Sequence, residues 1–130
     1  PCFTLTEKDT LKTASEKLQK HNVGIMPIIS EQDKSVIGII SERDIARYIH
    51  RVEFKCDLLI SKIMTKNIIS CNLNTSVTEL MEIITTNKIR HIPIIEKTKL
   101  LGIVSIGDVV NHIIEQYKNE NQHLRDFINQ

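Results

Sequence analysis

Apolar and polar positions follow two rhythms along this chain, and the whole succession of them occurs twice. Leu11, Ala14 and Leu18 stand at helical spacing after Asp9-Thr10, and Val77, Leu80 and Ile84 repeat that spacing 66 residues later after Thr75-Ser76. Both stretches predict amphipathic helices. Each then passes through a polar turn, Lys20 to Asn22 or Asn87 to Lys88, into a short apolar run that contains a proline. These runs, Val23-Gly24-Ile25-Met26-Pro27-Ile28-Ile29 and Ile89-Arg90-His91-Ile92-Pro93-Ile94-Ile95, predict strands. A hairpin turn follows, Ser30 to Ser35 in the first copy and Glu96 to Lys99 in the second, and beyond it the offset falls to 64 residues. Loops absorb such length changes at little cost. The returning strands are Val36-Ile37-Gly38-Ile39-Ile40 and Leu100-Leu101-Gly102-Ile103-Val104, which run through Ser41-Glu42-Arg43-Asp44 and Ser105-Ile106-Gly107-Asp108 into a second helix. A short strand, Phe3-Thr4-Leu5 or Ile68-Ile69-Ser70, precedes each copy.

The fold class expected is therefore α+β, two β-α-β-β-α units of the same plan. A first unit covers residues 1–50 and a linker 51–67. The second unit covers 68–116, and a helical extension 117–130. Within the linker, Asp57 to Met64 has the apolar spacing of a short helix. In the extension, Val110, Ile113, Ile114, Tyr117, Leu124 and Ile128 keep helical spacing across the polar run Asn119 to Gln122, which allows one long helix or two with a break. A sheet this small cannot hide its apolar face alone, so the units should pack face to face about a pseudo-twofold axis into one core. Apolar helix surface left over makes a homodimer the expected assembly.

Composition narrows the function. The chain is 41% hydrophobic and 25% charged, a globular balance, and isoleucine dominates its apolar positions as sheet-rich cores favour. An aromatic content of 4% and a formal charge of +1 leave little for stacking bases or tracking phosphate backbones, so no nucleic-acid partner is expected. Cys2, Cys56 and Cys71 form no C-x-x-C pair and read as free thiols of a reducing compartment. His21, His50, His91, His112 and His123 show no metal-ligand spacing. No apolar run approaches the roughly 18 residues of a membrane span, and no signal peptide is visible, so the expected location is cytoplasmic.

The chemistry-bearing residues cluster at the repeated Gly-x-x-Ser-x-x-Asp, Gly38 to Asp44 and Gly102 to Asp108. Ser41 with Asp44, and Ser105 with Asp108, have the spacing of a helix capping box, which by itself accounts for both pairs. Gly38 and Gly102, however, interrupt apolar strands, and a strand glycine often marks a backbone that something else approaches closely. A helix N-terminus beside a bare strand also suits a sugar or phosphate, and a carboxylate has lone pairs enough both to cap and to accept ribose hydroxyls. Arg43, Arg47, Lys66 and Arg90 are the nearby cations, Arg43 foremost because it adjoins Asp44. Its counterpart is not basic, so the two sites cannot be chemically equal. His91 has no nucleophile or acid in recognisable relation to it, and no catalytic arrangement is visible; the chain is not expected to be an enzyme.

These segments, together with Lys62-Ile63-Met64-Thr65 and Arg90-His91-Ile92-Pro93-Ile94-Ile95, resemble the cystathionine-β-synthase-type (CBS) domain family in its tandem, or Bateman, arrangement. The ending is similar to that of small stand-alone CBS-pair proteins of bacteria and plant mitochondria. The resemblance implies a regulatory sensor of adenosine-containing ligands such as AMP, ADP, ATP or S-adenosylmethionine, acting on an unidentified partner protein and needing no obligatory cofactor. It implies that Asp44 and Asp108 each hold a ribose, with Ser41 and Ser105 near ribose or phosphate. It places adenine against backbone at Ile25-Met26 and His91-Ile92 and against Leu5 and Ile69, with Arg43 facing phosphate. The family's helix before the first unit is missing ahead of Pro1, so a trimmed or unusually short terminus is expected. The alternative function is a ligand-independent dimerising scaffold.

Overall fold

The computed structural model describes residues 2–51 and 53–128. The first half forms strand β1 (Leu5–Thr6), helix α1 (Leu11–Lys20), strands β2 (Ile25–Ile29) and β3 (Val36–Ser41), and helix α2 (Glu42–Ile49). The second forms helix α3 (Val77–Asn87), strands β4 (His91–Glu96) and β5 (Lys99–Ser105), and helix α4 (Ile106–Ile128). The class is α+β, two β-α-β-β-α units in succession. Sheet order in the first unit is β1-β2-β3, with β1 parallel and β3 antiparallel to β2.

The prolines sit where a missing N–H costs nothing. Pro27 pairs with Ile39, but Ile39 exchanges both its backbone bonds with Thr65 of the linker, at 2.9 and 2.8 Å. Pro27 therefore faces a non-bonded position of β3, and β1 reaches only as far as Ile28 and Ile29. In the second unit the partner is shorter still. Instead of a strand over Ile68 to Ser70, Cys71 alone bridges to Ile94, its N–H donating to Pro93 O and its carbonyl accepting from Ile95 N. The apolar pair Ile68-Ile69 turns elsewhere.

Two other expectations change, and one left open is settled. The linker helix over Asp57 to Met64 reduces to a 3-10 turn, Ile60–Lys62, whose Ile60 is fully buried. The extension is one helix: α4 runs unbroken through Asn119 to Gln122 for 23 residues, or about 34 Å. The core is also not single. Leu5, Ala14, Leu18, Met26, Ile28, Ile40 and Ile60 form one buried cluster, while Cys71, Ile84, Ile92 and Val109 form a second.

Candidate functional site

Each β-to-α junction is a capped helix start. Ser41 Oγ accepts from Asp44 N at 3.1 Å while Asp44 Oδ2 accepts from Ser41 N at 3.0 Å, a complete capping box. Ser105 and Asp108 repeat it, both bonds at 3.1 Å. The serines act as N-caps, so α2 and α4 begin at Glu42 and Ile106, one turn earlier than their apolar spacing alone suggests. Thr65 adds a contact in the first copy only, its hydroxyl donating to Asp44 Oδ2 at 3.5 Å. Asp44 Oδ1 has no partner among the described residues.

Asp44 opens onto a cleft of about 470 Å³ whose walls come from both units and the linker. Small-molecule sites run from about 300 to 1,000 Å³. Five isoleucines, Ile25, Ile39, Ile68, Ile69 and Ile89, supply its apolar surface, broad enough for a flat heterocycle. Ser41, Glu42, Arg43 and Asp44 of the first unit line it together with Lys88, Arg90 and His91 of the second. Backbone holds the second-unit part: Arg90 O accepts from Ile106 N at 2.8 Å, as Gly24 O accepts from Glu42 N at 2.9 Å in the first unit.

Half-buried His91 stands at the meeting point of the two junctions. It lines the Asp44 cleft, and across the β4–β5 ladder it pairs with Ser105, the cap of α4. Burial pushes its pKa below the ordinary value; the Asp108 carboxylate opposes that and Arg90 reinforces it. Asp108 is held below the usual carboxylate range, first by the Ser105 backbone N–H, then by the Ser105 hydroxyl, with His91 adding to both.

Of the residues singled out in the sequence, Ile25, Ser41, Arg43, Asp44, Ile69, Arg90 and His91 line this cleft. Leu5, Met26 and Ile92 do not; their side chains are buried in the two cores. Lys66 is exposed between two lining residues, Thr65 and Asn67. Ser105 and Asp108 stand outside the lining, at the head of α4. The glycines have a different reason from the one expected. A Cβ on Gly38 would meet Met64 Sδ at 2.5 Å, Met64 Cγ at 2.9 Å and Thr65 O at 3.2 Å, so what approaches this strand is the protein's own linker. Gly102 has nothing nearer than Ile94 Cδ1 at 4.0 Å. Lys88, Thr65 and Glu42 were not singled out; Lys88 carried a signal, since a lysine stands at a helix end where the first copy has Asn22. Among the described residues no group of three or more His, Cys, Asp or Glu side chains could hold a metal ion. Among the described residues no helix is long and apolar enough to cross a membrane.

Comparison with known proteins agrees with this architecture. Residues 1–51 and 60–115 match the CBS domain. The mitochondrial CBS domain-containing protein CBSX3 of Arabidopsis thaliana is 34% identical over 127 residues, 95% of this chain and 62% of that protein. The chain thus spans less than two thirds of that relative's length. A CBS-domain containing protein of Agrobacterium tumefaciens superposes with a TM-score of 0.77 at 33% identity, over 86% of this chain and 89% of its own. The CBS domain pair of protein MJ0100, solved in complex with 5′-methylthioadenosine and S-adenosyl-L-methionine, superposes with a TM-score of 0.77 at 25% identity, over 89% and 90%.

Proposed function

The chain belongs to the CBS-domain family as a tandem pair of CBS domains, and on that footing we propose that it is a regulatory module that binds an adenosine-containing molecule in the Asp44 cleft without transforming it. The observation that carries the reading is Asp44 itself. One carboxylate oxygen is committed to the helix cap, the other is unpartnered among the described residues, and the residue lines a cleft built from both units. A ribose can use that oxygen, with the base against the isoleucines. A ligand held by both units biases their packing, and a partner protein that prefers one packing reads the signal. A second copy of the chain is the proposed cover for the apolar stripe of α4, where Ile106, Val110, Ile113, Ile114 and Tyr117 are all exposed at helical spacing. The adenosine ligand of the MJ0100 pair supports the ligand class.

One observation favours the scaffold reading instead: the capping boxes account for both Ser–Asp pairs with no ligand. Titration calorimetry separates the two. The sensor reading expects wild-type protein to bind at least one of AMP, ATP and S-adenosylmethionine, and Asp44→Ala to abolish or severely weaken it. The scaffold reading expects no binding by either, with Asp44→Ala losing only the cap, about 1 kcal/mol of stability.

A further inference from the structure

We propose that the turn between β4 and β5 is a clasp on the first unit, held shut under backbone strain, whose release lets the two hairpin tips part while both units stay folded. Among the described residues, two hydrogen bonds run directly from one unit to the other, and both are at these tips. Val36 N donates to Thr98 O at 2.9 Å, and Lys99 Nζ donates to Asp33 O. The clasp needs no ligand, so it stands or falls separately from the adenosine reading.

The turn has a sequence ill suited to its shape. Glu96 pairs with Lys99, which leaves Lys97 and Thr98 as a two-residue loop with φ of 47° and 69°. A hairpin loop with left-handed backbone at both positions favours asparagine followed by glycine. Lysine has no such preference, and a β-branched residue such as threonine is a marked outlier there. The first unit's longer turn, Ser30 to Ser35, uses the left-handed region only at Lys34. Strain of this kind persists where the surrounding structure over-determines it. Here the surrounding structure is the other unit, since the carbonyl that Val36 engages is that of Thr98 itself. Undocked, the loop can lose its Glu96–Lys99 pair and relax.

The first unit is built to receive it. The β2–β3 register slips between Ile28 and Ile29, and the Val36 N–H beside that irregularity goes to the second unit. Asp33 Oδ1 accepts from Ser35 N at 3.1 Å and from Ser35 Oγ at 2.7 Å, and Ser30 N donates to Ser35 O at 2.8 Å. These bonds fix the loop whose Asp33 carbonyl meets Lys99. Asp33, Thr98 and Lys99 are all exposed, so water competes for both clasp bonds, as it does where proteins open locally. β3 begins at Val36 and ends at Ser41, which lines the Asp44 cleft. One strand thus joins the clasp to the cleft wall, and the parted state is a second packing of the two units.

The test is native-state hydrogen exchange followed by NMR on the chain without ligand. Val36 and Ile39 share β3 with both amides bonded, the first to the clasp and the second to Thr65 O. Corrected for intrinsic rates, Val36 is expected to exchange at least about tenfold faster than Ile39, through an opening insensitive to low urea. The double variant Lys97→Asn, Thr98→Gly removes the left-handed penalty and is expected to slow Val36 at least about threefold. Lys99→Met, which loses one clasp bond, is expected to speed it by about the same factor. Neither variant changes the intrinsic rate of Val36, and unchanged Ile39 protection shows that each is folded. Val36 as well protected as Ile39 in the wild type means that the tips do not part separately, and overturns the clasp. So does a Val36 rate that the double variant leaves unchanged, or one that moves only in step with Ile39.

Discussion

Replacing Gly38 by alanine should destabilise the protein, and replacing Gly102 should not, although the two occupy the same place in the repeat. Neither glycine has a positive φ, so alanine is compatible with both backbones and the outcome turns on space alone. The Gly38 methyl would fall 2.5 Å from Met64 Sδ and 2.9 Å from Cγ, contacts that cannot persist. Met64 can swing aside, but it packs against the first core, and the Thr65 carbonyl at 3.2 Å belongs to backbone bonded to Ile39 on both sides. Overfilling of this kind typically costs about 1–3 kcal/mol. At Gly102 the nearest atom is at ordinary contact distance, and the lost unfolded-state freedom makes alanine neutral or stabilising by about 0.4–1 kcal/mol. Urea unfolding of both variants measures the difference. Met64→Ala supplies the decisive cycle: if the clash is the cause, Gly38→Ala adds far less destabilisation in that background, a coupling of about 1 kcal/mol or more. A Gly38→Ala protein within about 0.5 kcal/mol of wild type, or no coupling to Met64, would refute the packing account.

Lys88→Gly is expected to raise stability by about 0.5–1 kcal/mol, because glycine removes the left-handed penalty at the end of α3 and outweighs the lysine's interaction with the helix dipole; a higher urea midpoint at unchanged slope checks it. Acid should weaken the fold through His91. Its folded pKa lies below the ordinary value of about 6.5, so between those two pH values the unfolded chain binds more protons and stability falls as pH falls. His91→Asn should flatten that part of a stability-against-pH curve. The lowered Asp108 carboxyl acts with the same sign but in a more acidic window, starting near its unfolded value of about 3.9, and Asp108→Asn should remove that lower portion.

The architecture was legible in the sequence because it was written twice. Pro27 and Pro93, Gly38 and Gly102, and the two Ser–Asp pairs each confirmed the alignment of the other copy. Legibility failed where distant segments decide. The pairing of Cys71 with Ile94 replaces a strand that the apolar run Ile68 to Ser70 suggested, since local pattern cannot say which neighbour is in reach. The polar run in α4 did not break the helix because asparagine, glutamate and glutamine cost little within one. The strand glycines signalled a close approach, and Gly38 has one, but the approaching group is Met64 from 26 residues away along the chain. The cleft suffered most. Arg43 and Asp44 announce themselves, whereas Lys88 becomes part of the same rim only once the second unit is folded against the first.

The unbroken α4 gives the position of Arg90 a reach beyond the cleft. The first N–H of that helix is bonded to the Arg90 carbonyl, and Asp108 caps its first turn. Whatever displaces the rim displaces the root of a rod about 34 Å long. A tilt of about 5° at the root swings the opposite end through about 3 Å, by the same helical rise. The molecule thus carries a built-in lever, in which a small movement at the rim becomes a larger one at the tip.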